Sequence, residues 1–202
     1  MDFVGIASII TAVSTIVLGW FQFQQYGKNK LVDYKIAEME RKAETKRQSE
    51  KDAIGRIYGY MWNLLTSIDA DRVVIIQPHP PHDKHLISAT MEVRNNRTSS
   101  AESHIRDIEM GDIGGFIGDI SKRPFIYYPD IKACKDTHIR AIMDVSGVNS
   151  MAIYRLEDSD GRWCGSLCID WTYKREDLKI EYIKVKMADA ANSIQHILPE
   201  YG

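Results

Sequence analysis

Residues 151–171 read MAIYRLEDSDGRWCGSLCIDW. Two stretches suited to β-structure, 151–156 and 162–171, flank EDSDG, whose Asp-Gly step tolerates the positive φ of a tight turn. The segment therefore predicts an antiparallel hairpin. Side chains alternate along its second strand. That puts Trp163, Leu167, Ile169 and Trp171 on one face, and Cys164, Ser166, Cys168 and Asp170 on the other.

Working outward, the spacing of Ile180, Ile183, Met187, Ala190, Ile194 and Leu198 predicts a closing helix over about 175–198. Ile54, Ile57, Tyr58, Met61, Leu64, Leu65 and Ile68 have the same period, so 52–68 reads as an amphipathic helix. The β-branched run RVVIIQ at 72–77 is a strand stopped by PHPPH, and 85–93 alternates as a half-buried strand. Polar NNRTSS at 95–100 is a loop. GDIGGFIGDI at 111–120 leads into a short helix, 125–128 is a short strand, and 138–145 is a helical turn. The order predicts a mixed α/β domain preceded by a long N-terminal helix.

Three stretches carry a family resemblance. DADRVVII at 69–76 is similar to the first strand of GAF domains, the small sensory modules of PAS/GAF type, after their leading helix. IGGFIGDISKRPFIYYPDI at 113–131 resembles the family's glycine-containing helix and following strand. The hairpin at 151–171 resembles the closing hairpin, with Gly165 at the usual glycine. The resemblance covers about 53–198. It implies an α+β fold, an antiparallel sheet with flanking helices, in which the first and last helices lie on one face of the sheet and a ligand cavity on the other. The apolar face of the hairpin strand would then lie under the helices, and Cys164, Ser166, Cys168 and Asp170 would face the cavity. These four are the candidate pocket residues. The resemblance also implies pairing of the first and last helices with those of a second copy.

The N-terminus is unlike the rest. Residues 3–25, FVGIASIITAVSTIVLGWFQFQQ, contain no charge and are long enough to cross a bilayer. Trp20, Phe21, Phe23 and Tyr26 cluster where an aromatic belt would sit. Only Asp2 precedes the span, while Lys28, Lys30 and Lys35 follow, so the expectation is a single-pass anchor with its N-terminus outside and the domain cytoplasmic. The bulky residues at its end are unlike a signal-peptide cleavage site. Ala7, Thr11, Thr15 and Gly19 form a small-residue stripe suited to helix self-association. Burial of residues 1–27 in a protein bundle is the alternative environment. Residues 28–52 interleave acids and bases, with Glu38/Lys42 and Glu44/Arg47 at helical spacing, and read as a charged stalk. The expected plan is 1–27 apolar helix, 28–52 stalk, 53–198 domain and 199–202 tail.

Composition excludes several classes. Hydrophobic residues are 44% and charged residues 27%, unlike a disordered or polytopic chain. Lys+Arg 26 against Asp+Glu 28, with no basic–aromatic face, argues against nucleic acid. Three cysteines do not make a disulfide scaffold. GAF-like sulfoxide reductases carry thiols that GGFIGD and HIRAIMDVSGVNS lack here, so a thiol-dependent reductase is a minor alternative. His79, His82 and His85 with Asp83 could ligate a metal but read as a solvated loop, and the glycines at 111–118 read as a packing device. No catalytic residue, metal or cofactor is assigned. The expected function is a membrane-anchored, non-enzymatic binding or assembly module, homo-oligomeric and acting through a protein partner that supplies the output. The alternative is a structural subunit of a larger assembly, such as a virion, that uses a degenerate GAF-like fold.

Overall fold

The computed structural model describes residues 3–81, 83–175 and 177–199; within the first helix, side chains are described at 18–20, at 30 and from 34 onward. The chain divides into two compact units, Met1–Glu50 and Lys51–Gly202. Helix α1, Phe3–Ser67, supplies all of the first unit's described structure. The side chains from Tyr34 to Glu50 are exposed, and Lys42 pairs with Glu38 at 2.7 Å. Ala7, Thr11 and Thr15 lie outside the described side chains. At Gly19 an added Cβ would meet nothing within 4 Å. Among the described residues, no helix is long and apolar enough to cross a membrane.

The second unit begins with the last turns of α1, where Ile57, Met61, Leu64, Leu65 and Ile68 are buried. There follow β1 (Arg72–His79), β2 (Leu86–Arg94), β3 (Ile108–Glu109), α2 (Gly114–Lys122), β4 (Phe125–Tyr128) and a 3-10 turn (Ile131–Ala133). Then come α3 (Thr137–Val145), β5 (Ser150–Glu157), β6 (Trp163–Trp171) and α4 (Ile180–Ile194). The strands form one sheet in the order β3-β2-β1-β6-β5-β4, with every neighbouring pair antiparallel.

Both faces of this sheet are covered, and for that reason the centre of β1, residues 73–76, is a continuous apolar run with no polar alternation. Val73 and Ile75 point to one core with Leu167, Ile169 and Trp171, under α1 and α4. Val74 and Ile76 point to a second core with Met151, Ile153 and Cys168, under α2, α3 and the segment 101–108. Trp171 is fully buried, and its indole N–H donates to the Asp69 carbonyl at 3.0 Å, so its size enters the core without an orphaned polar group.

Three local features depart from the sequence pattern. First, α4 starts at Ile180: 172–175 and 177–179 are irregular, and Arg175 there is held at 2.7 Å by Asp69 and at 2.8 Å by Asp177. Second, the polar region after β2 contains the two-residue strand β3, aligned on Leu86 and Ile87. Third, β5 and β6 slip register between Leu156 and Glu157. Leu156 faces Gly165 while Glu157 faces Trp163, leaving Cys164 as the extra residue of a β-bulge.

Candidate functional site

The bulge corrects the expected faces of β6. Residues 166–171 alternate as the hairpin pattern predicts, but Trp163 packs against the second core and Cys164 against the helix side. Trp163 Nε1 donates to Ser166 Oγ at 3.1 Å across the bulge. Cys164 therefore does not share a face with Ser166, Cys168 and Asp170. It lines a separate recess of about 310 Å³ with Lys84, His196 and Pro199, and burial pushes its thiol up.

Ser166, Cys168 and Asp170 do face the second core, but no solvent reaches them. Cys168 is packed among Val74, Ile76 and Ile153, and burial pushes its thiol well above the ordinary value. Asp170 accepts from Arg72 Nε at 2.8 Å, with both side chains buried. Arg72 Nη1 donates to the Ser99 carbonyl, while Arg72 Nη2 and Asp170 Oδ1 have no partner. Burial pushes the Asp170 carboxyl up to about 6, against the pull of Arg72. Such a half-satisfied pair costs desolvation on both sides.

The histidines also differ from a solvated loop. His79 ends β1 and is buried, with Nε2 2.9 Å from Ser88 Oγ and 3.3 Å from Asp107 Oδ1. Pairing of β1 with β2, and the approach of residue 107 to β2, thus bring together a Ser/His/Asp cluster that no sequence spacing indicates. Its geometry is not that of a nucleophilic triad, in which the acid and the hydroxyl sit on opposite ring nitrogens. Here both approach Nε2, and Ser88 is 1% exposed, so no substrate carbonyl can reach its oxygen. His85 lies apart, hydrogen-bonded to the Asp83 carbonyl at 2.7 Å, which raises its pKa. His82 lies outside the described residues. Among the described residues, no three metal-ligating side chains converge.

The glycines of 111–118 are not a packing device. An added Cβ at Gly111, Gly114 or Gly118 would meet nothing within 4 Å, and at Gly115 only the Asp136 carboxylate at 3.5 Å. The glycine with a packing role is Gly165, where a Cβ would stand 2.8 Å from the Ile76 carbonyl oxygen.

Gly115 lines a half-open cleft of about 760 Å³ in the domain. Its floor is the edge strand β4. Phe116 and Asp119 of α2 line it, as do Cys134, Lys135 and Asp136 between the 3-10 turn and α3. The apolar part is Phe116, Phe125, Ile126, Tyr127 and Tyr128. The polar part includes Arg123, paired with Asp119 at 3.0 Å, and the unpaired Lys135 side chain is exposed. Burial raises the pKa values of both Tyr128 and Cys134, which line the cleft together. An apolar floor with a few convergent polar groups is the arrangement of a small-molecule site. None of the four pocket residues expected from the sequence lies in it. Proline at 124 and 129, bracketing four apolar and aromatic residues, is the signal that marks β4 as an edge.

No protein-family model matches the sequence, and no curated protein matches it. Solved structures do match in fold. The GAF3 domain of Slr1393 from Synechocystis, in its photoproduct state, superposes with a TM-score of 0.58 at 9% identity, covering 71% of this chain and 90% of that one. The blue-light absorbing form of the PixJ GAF domain from Thermosynechococcus elongatus gives 0.57 at 12% identity, covering 73% and 87%. A phycoerythrobilin-bound GAF domain from a cyanobacterial phytochrome gives 0.53 at 16% identity, covering 75% and 94%. At these identities the likeness concerns architecture alone. A six-stranded antiparallel sheet, with α1 and α4 on one face and α2 and α3 on the other, is the α+β fold of a GAF domain.

Proposed function

We propose that this protein is a non-enzymatic GAF-like binding module that takes a small molecule in the β4 cleft and is held at a membrane by residues 3–25. The observation that carries the binding reading is the cleft itself. Its volume suits a small ligand, aromatic side chains floor it, and charged groups rim it. The GAF-like fold supports a binding role in general, and the neighbours include a domain described as phycoerythrobilin-bound. The anchor reading is supported by the uncharged stretch 3–25 and the lysines that follow it.

A protein partner supplies the output, and the module self-associates. Tyr60 and Trp62 on α1, and Tyr182 and Val185 on α4, are large apolar side chains left exposed, which supports a protein contact on the helix layer.

The binding reading is tested by thermal-shift screening of the full-length chain against a metabolite library, with Tyr127→Arg as the cleft-blocked control. A compound at 100 times its Kd stabilises by about 2.7 kcal/mol, well within detection. The expected result is a compound that raises Tm in the wild type and not in Tyr127→Arg. Shifts of equal size in both proteins would move the site elsewhere, and no shift with any compound would count against a small-molecule role.

A further inference from the structure

Asp136 is the N-cap of α3. Its Oδ1 accepts from the backbone N–H groups of His138 and Ile139, both at 3.1 Å. The second oxygen of the same carboxylate reaches a different helix: Oδ2 accepts from the Phe116 N–H at 3.3 Å. Phe116 is the third residue of α2, so its amide is one of the donors that a helix start leaves without an intrahelical acceptor. Position 113, where α2 would place its own cap, is Ile, which has no side-chain acceptor. One carboxylate therefore caps two helices.

Both capped ends open onto the β4 cleft, which Phe116, Cys134 and Asp136 line together. The two attachments are unequal. Toward α3 the carboxylate makes two bonds to residues two and three positions away, a local motif that costs little to hold. Toward α2 it makes one longer bond across 20 residues of sequence, to a helix that starts Gly114-Gly115, where an added Cβ would meet nothing within 4 Å at Gly114 and this same carboxylate at 3.5 Å at Gly115. Glycine at the first helical positions leaves that turn conformationally free. If the longer bond breaks, α3 keeps its cap and the start of α2 is loosened beside the cleft.

We propose that Asp136 is a releasable clasp: its carboxylate closes the α2 side of the β4 cleft through Phe116 N–H, and letting go of that bond admits a ligand without unfolding the domain. The clasp rests on reading the cleft as the binding site. Its own mechanics need no ligand, so the two ideas fail separately.

The test uses Asp136→Asn and Asp136→Ser in the full-length chain. Both residues are good N-caps, so α3 stays capped. Neither can serve both helices, since Asn has one acceptor oxygen and Ser is too short to reach Phe116. Cys134, buried at the cleft, reports opening through its rate of labelling by a small neutral disulfide, read site by site by peptide mass spectrometry. Cys168, inside the second core, reports global unfolding. The expected result is Cys134 labelling at least tenfold faster in both variants, with Cys168 labelling and Tm close to wild type. In hydrogen exchange the Phe116 amide loses protection while Ile139 keeps it. Unchanged Cys134 labelling would overturn the clasp, as would faster labelling with the Phe116 amide still protected, because loss of the Asp136 charge by itself makes the Cys134 thiol more acidic. So would parallel acceleration at Cys134 and Cys168, which would make Asp136 a strut of the whole fold. The cleft reading stands or falls on the ligand screen, whatever the labelling shows.

Discussion

At position 165 the absence of a side chain has a geometric cause. A Cβ there would stand 2.8 Å from the backbone oxygen of Ile76 on the neighbouring strand and 3.3 Å from Gln77 Cγ. A backbone atom in a central strand cannot step aside as a flexible side chain can. Gly165→Ala is therefore expected to destabilise by about 1–3 kcal/mol, the usual range for overpacking, as a drop in the urea midpoint without a change in m-value. Asp170 makes a prediction of the opposite kind. Its folded pKa of about 6 lies above the ordinary carboxylate value, so the folded state binds this proton more tightly than the unfolded chain does. The contribution is favourable at acid pH and is lost as pH rises through about 6. Relative to Asp170→Asn, the wild type should lose on the order of 3 kcal/mol between pH 4 and pH 7. A pH-independent difference between the two proteins would show that Asp170 keeps an ordinary affinity for its proton. Neither effect could be read in the sequence, because the contact at Gly165 and the burial at Asp170 both depend on which strand lies next to β6.

At the scale of elements, the sequence pattern carried furthest where the period was long and uninterrupted. The buried faces of α1 and α4, the β1 run and the β5–β6 hairpin follow from spacing alone. It failed where one residue changes a register or a cap. Alternation is blind to an inserted residue, so the bulge at Cys164 reversed the faces of Trp163 and Cys164. The start of α4 is misplaced beside a tertiary ion pair, Arg175 with Asp69, that spacing does not show. The cleft is invisible for the same reason: β4, α2 and the approach to α3 come together only through topology, while Ser166, Cys168 and Asp170 are buried in the second core and Cys164 lines a different recess. Gly59 of α1 offers a test on an element. It is exposed within a helix, and a Cβ there would meet nothing within 4 Å. Gly59→Ala should therefore stabilise the domain by about 0.5–1 kcal/mol through helix propensity, seen as a higher denaturation midpoint. A loss of stability or of a dimer in the same variant would instead mark this face as closely packed against a second chain.

In the whole molecule a GAF-like domain follows an N-terminal helix whose apolar part is proposed to lie in lipid. The anchor predicts that full-length protein stays in the membrane pellet after carbonate washing and is released by detergent, and recovery in the carbonate supernatant would remove it. The central claim is that the domain works by holding a small molecule in the β4 cleft. Native mass spectrometry of the full-length chain, purified from its host in detergent, tests it most directly. The expected result is a bound small molecule of defined mass at one per domain, retained by the wild type and lost in Tyr127→Arg. A wild-type spectrum with no such mass, or an adduct that survives Tyr127→Arg unchanged, would contradict it.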